Sequence, residues 1–492
     1  MIFNSVDYIL FLGVVATIYY IIPSKGKNMW LLIAGIVFYT TWNPYYLIII
    51  GICIFTSFIF AILIEKYDKE RYLQRYFLWI SIIICIGNLI GLKYADFLID
   101  NANHLLKNIG QGYHIDTFEL LVPVGISFYV LQAVGYVIDV YKGKVKAEKN
   151  ILDYSLFLCF FPQLCSGPIA RANRLLPQIK KKDRHINPSL IENGIISFGY
   201  GLFLKVVLAD NINLIVSPIF DIYEDCNGMQ LLMASILFGI QIYCDFAGYS
   251  LMAIGSAEIL GIELMTNFKQ PYINTDIKSF WRNWHISLTS WFTDYLYIPL
   301  GGNRKGKLRK YLNVFIVFLC SGLWHGAAWH FVAWGALNGL FLIFEESTQK
   351  ISKRLLSYLK IDVSRIAWKI FKGVFVFLCI DFTWIFFKAS SLKAAINIIA
   401  VIAKDFRPGW FLTEACIDVF GTDIQFAVIL FSTAIMLFID YWNKLRGNVK
   451  ELLFRQQIVY RWIIYFALIY VILCWGAFGE GYEQTQFIYF GF

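Results

Sequence analysis

The sequence predicts an all-α polytopic integral membrane protein, and three observations predict it. Of 492 residues, 58% are hydrophobic and only 16% are charged, with a mean hydropathy of +0.60. An ordinary soluble protein carries about 25% charged residues, so this chain lacks the material for a water-facing skin. Its apolar residues are gathered into runs of the length a bilayer demands, about 20 residues per helix. Lys and Arg cluster between alternate runs, as cytoplasmic loops do. The excess of 43 Lys+Arg over 34 Asp+Glu, a formal charge of +9, therefore reports topology. No basic stretch is built as a stacking or groove-reading surface, so nucleic acid is not an expected partner. The 35 Gly and 11 Pro are scattered, which excludes collagen-like and disordered classes.

Taken in order, the first run covers residues 6–22. It lacks a basic n-region and a cleavage site, and no Lys or Arg precedes Lys25, which predicts a retained span with the N-terminus outside. Residues 29–64 exceed one span and break at Trp42-Asn43-Pro44, giving a hairpin that returns to Lys66, Lys69, Arg71 and Arg75. A span over 76–92 leads to an outer loop at 93–117, and 118–141 returns to Lys142, Lys144, Lys146 and Lys149. The next run, 151–170, has basic groups on both flanks, with Arg171, Arg174, Lys180, Lys181, Lys182 and Arg184 following it. One crossing cannot have both ends cytoplasmic, and Pro162, Gly167 and Pro168 break a helix, so the run reads as re-entrant.

Residues 190–208 then lead outward to an acidic loop with Asp210, Asp221, Glu224 and Asp225, and 229–257 returns. The stretch 311–345 is again bracketed by cations, Arg304, Lys305, Lys307, Arg309 and Lys310 before it and Lys350, Lys353 and Arg354 after it. Its interruption at Gly322-Leu-Trp-His-Gly326 predicts a hairpin or re-entrant pair with His325 at the break, deep in the protein. A basic loop at 443–461 precedes a last span at 462–479 and an external tail with Glu480 and Glu483. With no internal repeat or linker, residues 1–492 read as a single membrane domain of roughly ten to twelve spans.

Several chemical signatures can be set aside. Gly301 to Lys307 fits GxxxxGK, but Leu308 stands where Ser or Thr would hold magnesium. There is no GxSxG, HExxH or GxGxxG. The ten Cys sit mostly inside apolar runs without a CxxC pair and read as small core hydrophobes. His325 and His330 are five apart, about 140° round a helix, so they do not form a one-face metal pair. His104, His114 and His185 fall in expected loops and read as solvated, and His330 reads as structural.

His285 and His325 lie in Trp-rich apolar segments. Each either bonds a freed carbonyl or acts as a base, a task suited to an imidazole whose unperturbed pKa is about 6.5. Asp139, Lys205, Asp245, Glu258 and Asp381 either line a watery path or pair with one another.

Five segments carry a resemblance: Leu121-Val-Pro-Val-Gly-Ile-Ser-Phe-Tyr129, Phe160-Phe-Pro-Gln-Leu-Cys-Ser-Gly-Pro168, Gln241-Ile-Tyr-Cys-Asp-Phe-Ala-Gly-Tyr-Ser250, Phe280 to Arg304 ending in Tyr297-Ile-Pro-Leu-Gly-Gly-Asn-Arg304, and Leu323-Trp-His-Gly326. The terminal Phe487-Ile-Tyr-Phe-Gly-Phe492 adds to it. Over most of its length the chain resembles the membrane-bound O-acyltransferases, and among them the bacterial alginate O-acetyltransferase-like branch. It departs from that branch at Asn283, where a second Arg is common, and at Leu251, where an acidic residue is.

The resemblance implies a multi-helix fold with a central funnel, His325 as the main catalytic residue and His285 as a second histidine near the tunnel. Trp324, Asp294, Trp284, Asn303, Arg304, Gln163, Tyr243 and Asp245 are the expected supporting or substrate-path residues. It also implies a multi-pass protein of the bacterial cytoplasmic membrane, for which the charge pattern predicts both termini outside. Such a protein holds no bound cofactor or metal and takes acetyl-CoA or another acyl thioester as donor. Its expected partners are membrane lipid and an exported SGNH-type acetyltransferase or polysaccharide synthesis machinery. The runner-up is D-alanyl transfer from a carrier protein. A transporter or flippase, the alternative of another class, would show inverted repeats, and none is visible.

Overall fold

The computed structural model describes residues 1–478 apart from 111–112, 119, 166, 182–183, 414–418 and 420–421. The terminal motif at 487–492, Glu480 and Glu483 lie outside the described residues, as do Ser166 and Lys182. The described secondary structure is helical throughout, without a strand. Contacts gather the chain into two compact units, residues 1–198 with 252–265 and residues 199–251 with 266–492.

In the first unit, α1 (Val6–Ile21) is opened by Ser5, whose hydroxyl accepts from the Tyr8 N–H. Helices α2 (Lys27–Thr40) and α3 (Tyr46–Lys66) form the expected hairpin, and Asn43 at the break accepts from the Tyr45 N–H at 3.0 Å. Next come α4 (Arg71–Lys93), α5 (Ala95–Asn108) and α6 (Ile126–Tyr141). Helix α5 fills most of the expected 93–117 loop. It carries Asp96, Asp100, His104 and Lys107, too polar a set for a search by span length.

Lys149 pairs with Glu65 at the end of α3, and the Arg75 Nε donates to the Tyr141 hydroxyl at 3.4 Å. The end of α3, the start of α4 and the end of α6 therefore share one face. At the opposite end of α4, the Lys93 Nζ donates to the Ser127 Oγ at 3.4 Å. Helix α7 (Ile151–Cys159) stops at Phe160, whose ψ of 103° is extended, and the single turn α8 (Phe161–Leu164) follows. This is the broken helix expected from the charges. Helix α9 (Ala172–Lys180) completes the run.

Two long helices, α10 (Pro188–Asp221) and α11 (Gly228–Ile259), contribute residues to each unit. Helix α10 widens into π-helix over Phe203–Ala209. There the Lys205 Nζ meets Asp210 at 2.8 Å and Asp245 at 2.7 Å in a buried group. Asp210 is thus inside a helix and not in the acidic outer loop that its charge suggested. Of the other intramembrane charges, Asp139 pairs with Lys144 at 3.8 Å, and Glu258 accepts from Ser197 and Asp381 from Ser235.

The second unit continues with α12 (Ile277–Asn283), α13 (Ile286–Phe292) and a π-turn at Thr293–Tyr297. Then come α14 (Lys307–His325), α15 (Trp329–Tyr358), α16 (Ile366–Lys388), α17 (Leu392–Lys404), α18 (Asp423–Leu445), α19 (Val449–Phe454) and α20 (Ile458–Trp475). Helices α14 and α15 form the hairpin expected over 311–345. Their backbones meet so closely that a Cβ on Gly322 would lie 2.3 Å from the Phe331 carbonyl oxygen, and one on Gly335 2.3 Å from that of Phe318.

Among the described residues, seven helices are long and apolar enough to cross a membrane: α3, α4, α10, α11, α16, α18 and α20. Helices α1 and α6 are apolar but shorter. The sequence-based count of roughly ten to twelve also takes in α1, α2 and α6, which are shorter than about 20 residues, and the arms of α14–α15, which are long enough but carry more polar and charged residues. The chain is an all-α, multi-pass membrane protein.

Candidate active site

His325 is the last residue of α14. Gly326 leaves the helix in an extended conformation with its N–H still bonded to the Gly322 carbonyl at 3.3 Å. Phe331 packs against Gly326 so tightly that a Cβ there would meet the Phe331 ring at 2.1 Å. The helix end, the missing side chain and the ring together fix where the imidazole of His325 stands. His330, five residues on, has its Nδ1 3.0 Å from the Phe386 carbonyl oxygen. That contact satisfies it as a buried structural histidine.

His285 is held differently. It is the N-cap of α13 with φ 43° and ψ 55°, a left-handed conformation. Such a conformation costs a non-glycine residue on the order of 1–3 kcal/mol and persists where its surroundings enforce it. The enforcing residue is Asn267, whose backbone oxygen accepts from the Ile286 N–H at 2.9 Å and whose Oδ1 accepts from the Ser287 N–H at 3.4 Å. The Asn267 Nδ2 in turn donates to the Ser250 Oγ at 3.0 Å. The preceding helix α12 is capped by Asp276 and by Glu345 of α15. The Glu345 carboxylate accepts from the N–H groups of Ile277 at 3.0 Å and Lys278 at 3.1 Å. Helix α15, which leaves the His325 turn, thereby also fixes the start of the segment leading to His285.

The two histidines, far apart in sequence, stand with ring centroids 6.5 Å apart. Both are buried, at 2% and 4% exposure. Trp324 lies against both, with centroids 5.8 Å from His285 and 5.0 Å from His325. His285 also meets Phe246 edge-on at 4.5 Å, and His325 meets Trp334 at 4.9 Å and Phe387 at 5.3 Å. Trp384 stacks on Trp334 at 5.7 Å and reaches Trp284 at 5.1 Å. The result is a pair of buried imidazoles surrounded by aromatic rings.

The other sequence-derived residues are placed less centrally. Trp284 adjoins His285 and stacks on Phe280 at 5.4 Å. Tyr243 packs on Trp284 at 6.2 Å and donates its hydroxyl to Asp440 at 2.7 Å. Asp294 is half-buried in the π-turn, and Asn303 and Arg304 are exposed in the turns before α14. Asp245 belongs to the Lys205 ion group. Gln163 lies in the first unit, where its Nε2 donates to the Phe157 carbonyl at 2.7 Å across the break between α7 and α8. Asn283, the departure from the branch pattern, donates to Asn274 at 3.1 Å and to the Ser279 carbonyl at 2.9 Å. His104, His114 and His185 are exposed. No cluster of three or more His, Cys, Asp or Glu suited to a metal occurs among the described residues.

Sequence reasoning missed Asn267, Phe246, Glu345, Trp384 and Phe387. Their chemistry is ordinary and only the fold brings them to the histidines. The one signal available for Trp384 and Phe387 is that both follow Asp381, an acidic residue inside an apolar run.

A family model described as MBOAT, membrane-bound O-acyltransferase family, matches residues 147–391, a span that includes both histidines. The chain is 34% identical over 397 residues to the probable alginate O-acetylase AlgI of Pseudomonas putida, covering 80% of this chain and 79% of that one. It is 35% identical over 431 residues to the peptidoglycan O-acetyltransferase of Helicobacter pylori, covering 81% and 79%. It is also 27% identical over 253 residues to the teichoic acid D-alanyltransferase of Bacillus subtilis, covering 49% and 63%. The chain therefore belongs to the membrane-bound O-acyltransferase family, in its alginate O-acetyltransferase-like branch, and is an O-acyltransferase.

Proposed function

We propose that the protein moves an acetyl group from a cytoplasmic acyl thioester, acetyl-CoA or a related donor, to a hydroxyl reached from the other side of the bacterial cytoplasmic membrane. The acceptor is an exported SGNH-type acetyltransferase or the extracytoplasmic polysaccharide itself, and the outcome is O-acetylation of an exopolysaccharide or cell-wall glycan. The observation that carries this reading is the buried His285–His325 pair inside its aromatic wall. The names of the alginate and peptidoglycan relatives support a glycan destination.

In the mechanism we infer, His325 takes the proton of the attacking hydroxyl as its oxygen bonds to the thioester carbonyl carbon. The carbon–sulfur bond then breaks and the proton passes to the leaving thiolate. His285 orients the hydroxyl or stabilises the oxyanion, a role that its fixed backbone suits because preorganised donors need no rearrangement during the reaction. Trp324 and Trp284 line the acyl path, Asp294 assists orientation, and the exposed Asn303 and Arg304 meet polar groups of donor or acceptor. Excluding water from the aromatic site protects the thioester from hydrolysis.

D-alanyl transfer from a carrier protein is the second reading, favoured by the similarity to the Bacillus subtilis enzyme over 49% of this chain. The similarity to O-acetyltransferases over about four fifths of the chain favours acetyl transfer. Membrane vesicles supplied with radiolabelled acetyl-CoA or, in parallel, with a carrier protein bearing a radiolabelled D-alanyl thioester, each with and without the exported partner, discriminate between them. Acetyl label in glycan or partner supports acetyl transfer. Label that moves only from an acylated carrier protein makes the D-alanyl type of reaction the correct one.

A further inference from the structure

Helix α5 and the segment after it form an inverted amphipathic unit. Leu98, Ala102, Leu105 and Ile109 recur at helical spacing on one side, while Asp96, Asp100, His104 and Lys107 lie on the other. A helix of this pattern in a soluble protein buries the apolar side. Here no residue of α5 is buried, and Leu98, Leu105 and Ile109 are 55%, 66% and 71% exposed.

The chain bonds to itself on the polar side, at Asp96 and Asn103, while Asp100, His104 and Lys107 are exposed. The Asn103 Nδ2 donates to the Ile115 carbonyl at 2.8 Å, and its Oδ1 accepts from the Ile115 N–H at 2.9 Å. Asp96 accepts from the Phe118 N–H at 2.8 Å. Residues 113–118 are thus strapped along the polar side, and Tyr113 and Phe118 of the strap are themselves exposed.

The location of the unit says what covers the apolar side. Helix α4 is a candidate span whose Trp79, Ile83 and Ile90 are exposed, and it passes through Tyr94 into α5 with no linker. The end of α4 at Lys93 contacts the start of α6 at Ser127, so the whole excursion leaves and re-enters the membrane at one face. A short polar–apolar helix set directly on the end of a span, with aromatic residues beside it, has the properties of a helix lying in the bilayer interface.

We propose that α5 lies in the plane of the bilayer boundary, at the end of α4 remote from Arg75, with Leu98, Leu105 and Ile109 immersed among lipid acyl chains. The occupant of the apolar stripe is lipid, and the strap keeps the polar side satisfied toward water. The inference is independent of the acyl-transfer reading.

The test uses the full chain in lipid nanodiscs, with an environment-sensitive fluorescent amino acid introduced by codon suppression at Leu105 or Leu98, and at Asp100 or Lys107 for comparison. The expected result is blue-shifted emission at 105 and 98 that is lost when the lipids carry brominated acyl chains. Emission at 100 and 107 is instead lost to aqueous iodide. Equal iodide quenching at all four positions overturns the proposal. So does protection of 105 and 98 that appears only when an exported protein is added, an outcome that would make the stripe a protein-docking face.

Discussion

At the residue scale, two histidines five positions apart have opposite characters. His330 contacts a backbone carbonyl and lies on the structural side, while His325 stands at a helix end facing a second buried imidazole. His330→Ala removes a buried hydrogen bond and leaves the Phe386 carbonyl unsatisfied, a loss of about 1–3 kcal/mol of stability. The expected outcome is a lower thermal midpoint in detergent with the transfer rate per folded molecule retained. A rate that falls while the midpoint stays unchanged would move His330 into the chemistry.

Both histidines stood out in the sequence as ionisable groups in apolar segments, costly unless satisfied or used, but only the family resemblance pointed to a catalytic role. Asn267 was not legible. It lies near no break, and its meaning comes from bonds to Ile286, Ser287 and Ser250, which only the fold brings to it.

At the element scale, the breaks were the readable feature and the interior of the helices was not. Run length located the interruption at 42–44 and charge parity those at 160–168 and 322–326, and helix ends stand at each. The same bookkeeping misplaced Asp210, because Lys205 neutralises it inside α10, and it passed over α5, whose charges disguise a helix as a loop.

Two substitutions test these packing arguments. Gly322→Ala places a Cβ against the Phe331 carbonyl and forces α14 from α15, an overpacking cost of about 1–3 kcal/mol. It should lower both the thermal midpoint and the transfer rate, since the hairpin carries His325. Lys205→Met leaves Asp210 and Asp245 buried without their cation, a loss of about 3–5 kcal/mol. Unfolding in detergent should show that loss, and a midpoint equal to that of the native chain would contradict the ion group's role.

For the whole molecule, composition settled the class, and the apolar runs anticipated many of the helices but not α16 or α18. The aromatic wall was not legible: 15 Trp, 30 Tyr and 44 Phe are too many for any one to stand out, and packing or an interfacial belt accounts for most of them. Sidedness is a prediction at this scale. With the loops at 66–75 and 142–149 in the cytoplasm, an epitope placed before Ser5 should be reached by antibody from outside intact cells, and one in the 443–461 loop only after permeabilisation. The reverse pattern would invert the proposed direction of transfer.

The central claim, that the buried histidine pair performs acyl transfer, is tested most directly by following radiolabelled acetyl in vesicles that carry native chain, His325→Ala or His285→Ala at matched amounts of folded protein. The account predicts that His325→Ala loses transfer by about 10²–10⁴-fold, the range for removing a general base, and that His285→Ala is also impaired while both variants keep a near-native thermal midpoint. Native-like transfer by folded His325→Ala would contradict it.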